Sequence, residues 1–321
     1  MSLLEVHNLE VVFPTIWGTV RAVNSVNFRQ ESGENVGLVG ESGAGKTMLG
    51  RALMGLLPYP GRVQGGKVFW RGEDLLQKKE QDLRRIRSRE IAMVFQDPIS
   101  ALNPLKKIGD QLIEAVFLHQ KLSKAEAMEL AIRRLVDVGI PRPEVSINNF
   151  PHQYSGGMLQ RLVIALALIN DPQLIIADEP TTALDVTIQA QILQLMKELQ
   201  QARKMSVLMI THNLGIVAQF CSRIYVMYAG KIVEHADTRT LFHRPLHPYT
   251  RGLLRSVVRM DQKTRRVETL PGLMPDLIHM PSGCAFHPRC AKGRDVCKRE
   301  SPAWRQMESG HGVACFDPDV G

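Results

Sequence analysis

A glycine-rich segment near residue 40 has the residue types and the spacing that bind phosphate. Four residues of GESGAGKT fit the pattern G-x-x-x-x-G-K-[ST]: Gly40, Gly45, Lys46 and Thr47. Glycines let the backbone wrap around phosphates, so that N–H groups at a helix N-terminus point inward. Lys46 can reach the β- and γ-phosphates, and the Thr47 hydroxyl can ligate Mg²⁺. The segment therefore predicts a nucleotide phosphate site.

Three side chains at the ends of two other apolar segments could act on the same phosphates. Asp178 and Glu179 follow the apolar run in DPQLIIADEP, and His212 ends SVLMITH. Polar groups at the carboxyl ends of parallel strands belong beside a phosphate loop in an open α/β sheet. We expect Asp178 in the Mg²⁺ shell and Glu179 as the base that polarises the attacking water. His212 is placed to contact the γ-phosphate.

Four cysteines cluster near the C-terminus, and their spacing does not decide which metal, if any, they bind. Five, six and seventeen residues separate Cys284, Cys290, Cys297 and Cys315 in turn. Four thiolates could hold zinc or an iron–sulfur cluster. His287 adds a zinc alternative, because Cys284, His287 and Cys290 form C-x-x-H-x-x-C. A third alternative is a small subdomain packed by reduced cysteines, whereas Cys221 stands alone and is expected in the core.

The elements needed to position these residues can be read from the pattern. ENVGLVGESGAGKTMLGRALMGL predicts a strand, a glycine loop and a helix. A mostly helical stretch follows, in which Ser123 and Glu126 form a capping box. Its predicted apolar stripes are Ile108, Leu112 and Val116 in one helix and Met128, Ile132 and Leu135 in the next. Further along, RIYVMYAGKIVEHA predicts a strand pair that turns at Gly230. YSGGMLQR then starts a helix at Ser155, where Gly156 and Gly157 leave the first amides bare. This is a second anion-binding helix start, far from the first in sequence.

Composition limits the class of protein. The chain has 321 residues, of which 44% are hydrophobic and 22% charged, so we expect packed domains rather than disorder. Its longest apolar run, Leu162–Ile169, is too short to span a membrane. Glu5 and Glu10 interrupt the N-terminus where a signal peptide needs an apolar region, so we expect an intracellular chain. The net charge of +8 favours a basic surface near anionic lipid or a membrane partner over nucleic-acid binding.

A change of composition places a domain boundary near residue 240. Beyond it prolines and histidines increase, helical periodicity fades and the four cysteines appear. The predicted domains are 1–240, with a helical subdomain at about 100–160, and 241–321. The predicted fold is α/β, with a small core in the second domain that a metal would help to fold.

These motifs, in this order, resemble the nucleotide-binding subunit of ABC transporters. GESGAGKT is similar to Walker A, LIIADEP to Walker B with its catalytic glutamate, and YSGGMLQR to the family signature. Gln96 in VFQDP resembles the Q-loop glutamine, Asp185 in TALD the D-loop aspartate, and His212 the H-loop histidine.

The ABC resemblance implies a P-loop NTPase core with an N-terminal antiparallel β subdomain and an inserted helical signature subdomain. It implies that Mg²⁺ is held through Thr47, Gln96 and Asp178, and that Lys46, Glu179 and His212 are catalytic. An aromatic side chain stacks on adenine in this family, and we prefer Phe13 to Trp17. The implied ATP-binding residues in the loop are Gly40, Glu41, Ser42, Gly43, Ala44, Gly45, Lys46 and Thr47.

Two subunits of this family pair head to tail, so ATP lies between Walker A of one chain and the signature of the other. Ser155, Gly156, Gly157 and Asp185 would thus serve the partner's ATP. The signature departs from the usual LSGGQ, because Tyr154 and Met158 replace its first and last residues. SGGM followed by QR is similar to the oligopeptide and dipeptide importer ATPases.

The tail supports the same subfamily, because HRPLHPYTRGLLRSV, GLMPDL and PSGCAFHPRC resemble its C-terminal extension. The resemblance implies an ATPase at the cytoplasmic face of the cell membrane. Its partners would be two transmembrane permeases, a second related ATPase and, indirectly, an extracytoplasmic solute-binding protein. The resemblance also implies a [4Fe–4S] cluster on the four cysteines, with Zn²⁺ as the alternative.

Two other functions remain open from the sequence. Relatives of peptide importers carry opines, glycosides, nickel or modified peptides, and an ATPase does not touch the cargo. A different class is an ABC-type ATPase that acts on nucleic acid or ribosomes. Such proteins often fuse two nucleotide domains, whereas this chain has one Walker A motif and an importer-type tail.

Overall fold

The computed structural model describes residues 2–182, 184–256, 270–308 and 310–319. The strands are β1 (Ser2–Thr15), β2 (Gly18–Glu31), β3 (Asn35–Val39), β4 (Arg62–Trp70), β5 (Glu73–Asp74), β6 (Ile91–Val94), β7 (Leu174–Asp178), β8 (Ser206–Thr211), β9 (Arg223–Tyr228), β10 (Lys231–Asp237), β11 (Arg305–Glu308) and β12 (His311–Val313). The helices are α1 (Lys46–Leu53), α2 (Glu80–Ile86), α3 (Pro98–Ala101), α4 (Ile108–Phe117), α5 (Lys124–Asp137), α6 (Pro143–Ser146), α7 (Gly156–Leu168), α8 (Val186–Arg203), α9 (Leu214–Phe220), α10 (Thr238–His243), α11 (Pro248–Arg255) and α12 (Asp295–Arg299).

The chain divides into two compact units. The first comprises 1–31, 35–77 and 209–321, and the second comprises 32–34 and 78–208. This division differs from the predicted boundary near residue 240, which stays a prediction. None of the helices in the described part of the chain is long and apolar enough to cross a bilayer.

The first unit contains an antiparallel sheet with the strand order β2-β1-β4-β5. Strands β1 and β2 form a long hairpin that pairs Ser2 with Glu31 at one end and Thr15 with Gly18 at the other. Buried apolar residues of β1, such as Leu4, Val6 and Leu9, form the core side of this sheet. The predicted N-terminal antiparallel β subdomain is confirmed.

A second sheet of the first unit contains both the phosphate-loop strand and two strands of the tail. Strand β3 runs parallel to β9, and β9 pairs with β10 in an antiparallel hairpin, as RIYVMYAGKIVEHA predicts. Two strands of the tail extend this sheet, since β12 pairs with β10 and β11 pairs with β12. The C-terminal residues Met209–Thr211 of β8 also belong to this unit.

A buried carboxylate fixes the tail to β10. Glu234 is fully buried, and it accepts hydrogen bonds from the backbone N–H groups of Leu246 at 2.7 Å and His247 at 2.9 Å. The His311 Nε2 of β12 donates a third bond at 2.8 Å. A buried carboxylate is stable only when hydrogen bonds satisfy its oxygens. These three hydrogen bonds therefore hold the Leu246–His247 segment and strand β12 against β10.

The second unit contains the other parallel strands. Strand β6 runs parallel to β7, with Ile91 opposite Leu174. Every residue of these two strands is buried, as is typical of parallel strands covered on both faces. The first residues of β8, Ser206–Leu208, follow β7 in the strand order.

The helical subdomain follows the predicted pattern, with additional buried residues in α5. Ile108, Leu112 and Val116 of α4 are buried on one side, as predicted, and the capping box of Ser123 and Glu126 at α5 is present. The buried residues of α5, however, are Ala127, Ala131, Arg134 and Leu135. Of the predicted stripe, Leu135 is buried, whereas Met128 and Ile132 are half-buried next to the fully buried alanines.

Candidate functional site

The phosphate loop (Gly40–Thr47) connects β3 to α1 in the first unit. Gly45 precedes the helix with φ of 102°, and a Cβ there would lie 2.0 Å from the backbone oxygen of Ala22. Only glycine fits this combination of backbone angle and close approach. No side chain caps α1, so its first N–H groups are not used by a capping residue. The loop therefore fits an anion at a helix N-terminus.

Lys46 is held against the same loop. Its side-chain Nζ donates to the backbone oxygens of Gly40 at 2.8 Å and Glu41 at 3.0 Å. The residue is only 5% exposed, so the ammonium lies inside the turn of the loop. A phosphate bound in the loop would offer this ammonium charged oxygens in place of two carbonyls.

The loop residues differ in exposure. Ser42 and Gly43 are exposed, Ala44 is buried, and Thr47 is half-buried on the first turn of α1. His212 directly follows β8 and is exposed, and the side chain of the next residue, Asn213, caps α9. The loop and His212 both belong to the first unit.

The two candidate adenine-stacking residues lie at different depths. Phe13 is half-buried in β1, where its ring fills the space beside Gly61. Trp17 lies in the turn between β1 and β2 and is 77% exposed. Of the two rings, that of Phe13 has its place fixed by neighbouring residues.

The acidic pair lies at the end of β7 in the second unit. Asp178 is the last residue of β7 and is 2% exposed. Glu179 has φ of 47°, an uncommon backbone angle for a side chain with a Cβ. Its Oε2 accepts hydrogen bonds from Gln96 Nε2 at 3.1 Å and from Thr182 Oγ1 at 2.8 Å. Gln96 and Glu179, separated widely in sequence, are therefore in direct contact.

The signature segment precedes α7, also in the second unit. Ser155 occupies the N-cap position, as predicted, yet its hydroxyl makes no capping hydrogen bond. Gly157 is close to α8, since a Cβ there would lie 2.7 Å from Ile188 Cγ2. Tyr154 donates through its hydroxyl to the Ser146 carbonyl, which gives the departure from leucine a local structural role.

Asp185 caps α8. Its carboxylate accepts a hydrogen bond from the backbone N–H of Ile188 at 2.9 Å. This interaction satisfies one of the unpaired N–H groups at the helix start. Asp185 thus has a structural contact within its own chain, in addition to the D-loop role that the resemblance implies.

All four tail cysteines line one small cavity in the first unit. The other lining residues are His247, Pro248, Phe286, His287, Lys292, Phe316 and Asp317. His287 Nδ1 donates to the Cys284 carbonyl at 2.9 Å, which leaves Nε2 as the acceptor nitrogen of the neutral ring. Among the residues that the structure describes, no three His, Cys, Asp or Glu side chains are grouped closely enough to hold one metal ion.

Burial changes the acidity of the cysteine thiols. It raises the pKa of Cys315 to about 11 and also raises the pKa of Cys284 and Cys290. The neighbouring cysteines add to this shift, because one thiolate disfavours another nearby. Cys221 is separate and 7% exposed, as its predicted place in the core requires.

Three residues near the candidate groups were not found from the sequence. Thr182 contacts the Glu179 carboxylate, and Tyr249 and Arg289 contact Glu41 of the phosphate loop. Thr182 lies next to a recognised motif, which is a usable signal. Nothing in the local pattern connects Tyr249 or Arg289 with a loop more than 200 positions earlier.

Family profiles match two parts of the chain. The family described as "ABC transporter" matches residues 23–182. The family described as "Oligopeptide/dipeptide transporter, C-terminal region" matches residues 233–297.

Curated relatives match over almost the whole length. The oligopeptide transport ATP-binding protein OppD of Salmonella typhimurium is 46% identical over 316 residues, which are 98% of this chain and 94% of the relative. The dipeptide transport ATP-binding protein DppD of Bacillus subtilis is 47% identical over 319 residues, which are 99% of this chain and 95% of the relative.

Solved structures match a large part of the fold. The dimeric post-hydrolysis structure of the ATP-binding cassette MJ0796 bound to ADP and Pi has a TM-score of 0.66 and 27% sequence identity. The match covers 74% of this chain and 99% of that cassette. A second dimeric structure of MJ0796 matches with the same TM-score and 28% identity.

Proposed function

This chain belongs to the ATP-binding proteins of the oligopeptide and dipeptide ABC transporters, and we propose that it hydrolyses ATP to power peptide import. The fold is that of an ABC ATPase cassette. The observation that carries the proposal is the match at about 46% identity to transport ATP-binding proteins across both the cassette and the tail. The names of these relatives favour transport over the alternative, an ATPase that acts on nucleic acid or ribosomes.

ATP binds, in this proposal, with its phosphates in the loop Gly40–Thr47 and its adenine against Phe13. The N–H groups at the start of α1, which no side chain caps, and the ammonium of Lys46 offset the phosphate charge. Thr47, Gln96 and Asp178 would hold Mg²⁺ through the hydroxyl, amide and carboxylate oxygens that this ion prefers. When bound, Mg²⁺ would help to neutralise the phosphate charge.

In the hydrolysis step, we assign one role to Glu179 and one to His212. Glu179 polarises a water for in-line attack on the γ-phosphate, and His212 stabilises the charge that develops on it. The hydrogen bonds from Gln96 and Thr182 to Glu179 support this assignment, because they fix the orientation of its carboxylate. Gln96 can also report the state of this carboxylate to a membrane partner.

The signature residues serve a second nucleotide domain. In a head-to-tail pair, Ser155, Gly156 and Gly157 contact the partner's ATP, with Asp185 nearby. The absence of a capping bond from the Ser155 hydroxyl supports this role, since the group is not used by α7 itself. The partners are two transmembrane permeases and a second related ATPase, at the cytoplasmic face of the membrane, with a solute-binding protein outside.

Glu179→Gln tests the ATPase assignment. The variant should bind ATP with wild-type affinity and lose hydrolysis by a factor of about 100 or more, because the base is removed and the shape is kept. Fluorescent-nucleotide titration and phosphate release measure the two quantities on purified protein. Near-normal turnover in this variant would sink the assignment.

Uptake measurements test the cargo. Cells that lack the gene should lose uptake of labelled di- and oligopeptides and regain it with the wild-type gene, but not with Glu179→Gln. Retained peptide uptake with lost uptake of opines or glycosides would show that the same machinery carries another solute.

We propose, from the resemblance of the tail, that Cys284, Cys290, Cys297 and Cys315 bind a [4Fe–4S] cluster, with Zn²⁺ as the alternative. A zinc ion draws four sulfurs to about 2.3 Å from a single centre. A four-iron cluster takes one cysteine at each iron, and all four cysteines line one pocket. The cluster would staple a tail with a small core of its own.

Metal and sulfide analysis of anaerobically purified protein tests this site. We expect about four irons and four sulfides per chain, with a broad absorbance near about 400 nm. One zinc without sulfide would show that the cavity holds a zinc site, in which His287 is available as a ligand. Cys297→Ser removes one of the four thiols. This variant should therefore bind less metal than the wild-type chain when both are purified in the same way.

A further inference from the structure

Arg289 connects the cysteine segment to the phosphate loop. It directly precedes Cys290, and its side chain is 5% exposed. Its two terminal nitrogens donate to both carboxylate oxygens of Glu41, at 2.6 Å and 2.9 Å. Nε donates to the Pro271 carbonyl at 2.7 Å, so both the terminal nitrogens and Nε are engaged. This two-pronged geometry is the strongest form of an arginine–carboxylate contact.

Tyr249 holds the same loop residue through its backbone. The N–H of Glu41 donates to the Tyr249 hydroxyl oxygen at 2.8 Å, and Tyr249 is fully buried in α11. The Lys46 ammonium reaches the Glu41 carbonyl at 3.0 Å. Glu41 is therefore held at its N–H, its carbonyl and its side chain, two of these points by residues after position 240.

An aromatic cluster (Tyr228, Tyr249 and Phe286) joins the two regions. The ring centroids are 4.6 Å apart for Tyr228 and Tyr249, and 5.2 Å apart for Tyr228 and Phe286. The Arg289 guanidinium lies 5.8 Å from the Tyr228 ring centre, and Phe286 also lines the four-cysteine cavity. A continuous set of contacts therefore runs from the cavity to Glu41.

The start of the loop cannot move independently of these contacts. A Cβ at Gly40 would lie 2.2 Å from the Met227 carbonyl, so the loop already touches the backbone of β9. Tyr228, the next residue of β9, belongs to the aromatic cluster. A shift of Arg289 or Tyr249 would thus change the position of Glu41 and of the N–H groups that follow it.

We propose that Arg289 and Tyr249 are positioning residues of the phosphate loop, and that they couple the four-cysteine segment to nucleotide affinity. The inference rests on the proposed ATP site. When the cavity is filled, the segment 284–290 is fixed, and Arg289 holds Glu41 in the geometry that binds phosphate. When the cavity is empty or a cysteine is lost, this hold loosens and affinity falls.

Equilibrium titration of the full-length chain with a fluorescent ATP analogue and Mg²⁺ tests the positioning role. Arg289→Met and Tyr249→Phe should each weaken binding about tenfold, because charged or buried loop contacts are lost. Arg289→Lys should recover part of this loss, since lysine keeps the charge but not the fork.

Arg244→Met is the matched control. Arg244 makes a similar two-pronged contact with Glu308 in the tail, at 3.3 Å and 3.1 Å, without contacting the loop. We expect its nucleotide affinity to stay within about twofold of wild type, because exposed ion pairs contribute little. Equal losses in Arg244→Met and Arg289→Met would overturn the positioning role, since both would then reflect the tail as a whole.

Double variants test whether the four-cysteine segment acts on the phosphate loop through Arg289 and Glu41. In a Glu41→Gln background, Arg289→Met should cause little further loss, because the contact is already broken. Cys297→Ser should weaken nucleotide binding in the wild-type background and add little in Arg289→Met. Fully additive losses, or an unchanged affinity in Cys297→Ser, would overturn the coupling.

The outcomes separate this inference from the proposed function. A wild-type chain that binds no nucleotide overturns both. A wild-type chain that binds nucleotide, with unchanged affinity in Arg289→Met and Tyr249→Phe, overturns the inference alone. If Arg289→Met does not fold, judged by its circular dichroism, the milder Arg289→Lys decides the result by the same titration.

Discussion

Glu179 is held in a strained position by its neighbours. Its φ of 47° is unfavourable for a residue with a side chain, at a cost of about 1–3 kcal/mol for such conformations. Hydrogen bonds from Gln96 and Thr182 orient its carboxylate from two directions. Such strain at a functional position is consistent with preorganisation of a base before substrate binds.

The first prediction concerns Thr182, which orients Glu179 without touching substrate in the proposed arrangement. Thr182→Val removes the hydrogen bond from the Thr182 hydroxyl to Glu179 and should lower kcat about tenfold with little change in KM, since about 1.4 kcal/mol corresponds to a tenfold rate change. Thr182→Ser keeps the hydroxyl and should restore most of the rate. Steady-state phosphate release measures both; an equal loss in the serine variant would argue against orientation by the hydroxyl.

At the scale of elements, the residues at the N-cap positions differ in whether their side chains cap the helix. The side chains of Ser123 and Asp185 cap α5 and α8, respectively. Ser155 sits at the corresponding position of α7 but makes no such bond. The contrast distinguishes residues that stabilise their own helix from one that leaves its helix start open to a ligand.

The second prediction separates the two roles of Asp185. Asp185→Ala should destabilise the protein by about 1 kcal/mol, the usual cost of losing an N-cap. Asp185→Asn keeps the cap and should leave stability unchanged, while it alters the charge that the D-loop offers a partner. Urea unfolding of both variants measures the difference; equal destabilisation would mean that the charge rather than the cap stabilises α8.

A histidine in β10, where the tail strands attach, has a lowered pKa. His235 packs between Tyr225 and Trp304, with ring centroids 5.0 Å and 5.2 Å away. Burial, followed by the charge of Arg223, lowers the pKa of His235 below its ordinary value. Within the described residues its Nδ1 has no hydrogen-bond partner, so protonation there would place an unpaired N–H inside.

The third prediction follows from this lowered pKa. Because the unfolded chain binds the proton more readily, the contribution of neutral His235 is present above its unfolded pKa of about 6.5 and is lost as pH falls below it. His235→Phe keeps the ring contacts and should reduce the loss of stability between neutral and mildly acidic pH. Urea midpoints at pH 7 and pH 5.5 measure this; identical pH dependence would exclude His235 as its source.

At the scale of the whole molecule, a single chain carries two parts of a nucleotide site that serve different ATP molecules in the proposed pair. The phosphate loop belongs to the first unit and the signature to the second. Dimeric cassettes of the same fold are among the structures this chain resembles. ATP binding by one chain and association of two chains can therefore be tested separately.

The fourth prediction uses this separation. In the Glu179→Gln background, ATP should promote association of the chain with itself or with its related ATPase partner. Adding Ser155→Arg should abolish this association and leave nucleotide affinity of the isolated chain unchanged, because a bulky cation blocks only the partner's site. Light scattering with and without ATP measures the mass; association that persists in the double variant would contradict the head-to-tail arrangement.

Local pattern was sufficient for most of the fold. Buried runs, glycine loops and capping residues predicted β3 with α1, the β9–β10 pair and α5, and all of these are present. The tail was predicted less well. Strands β11 and β12 lack a clear alternation and exist because β10 offers an edge to pair with, which is a property of the folded sheet.

The site residues divide in the same way. Sequence alone determined the phosphate loop, the acidic pair, the signature and the four cysteines, because backbone geometry and phosphate or metal chemistry tie those residue types to short fixed spacings. Their roles stay predictions until the variants above are measured. Only the tertiary structure decided that Gln96 and Thr182 hold Glu179, that all four cysteines line one cavity, and that Arg289 and Tyr249 hold Glu41. Except for Thr182 with Glu179, these contacts join positions distant in the chain, and side-chain packing selects them after the strands and helices have formed.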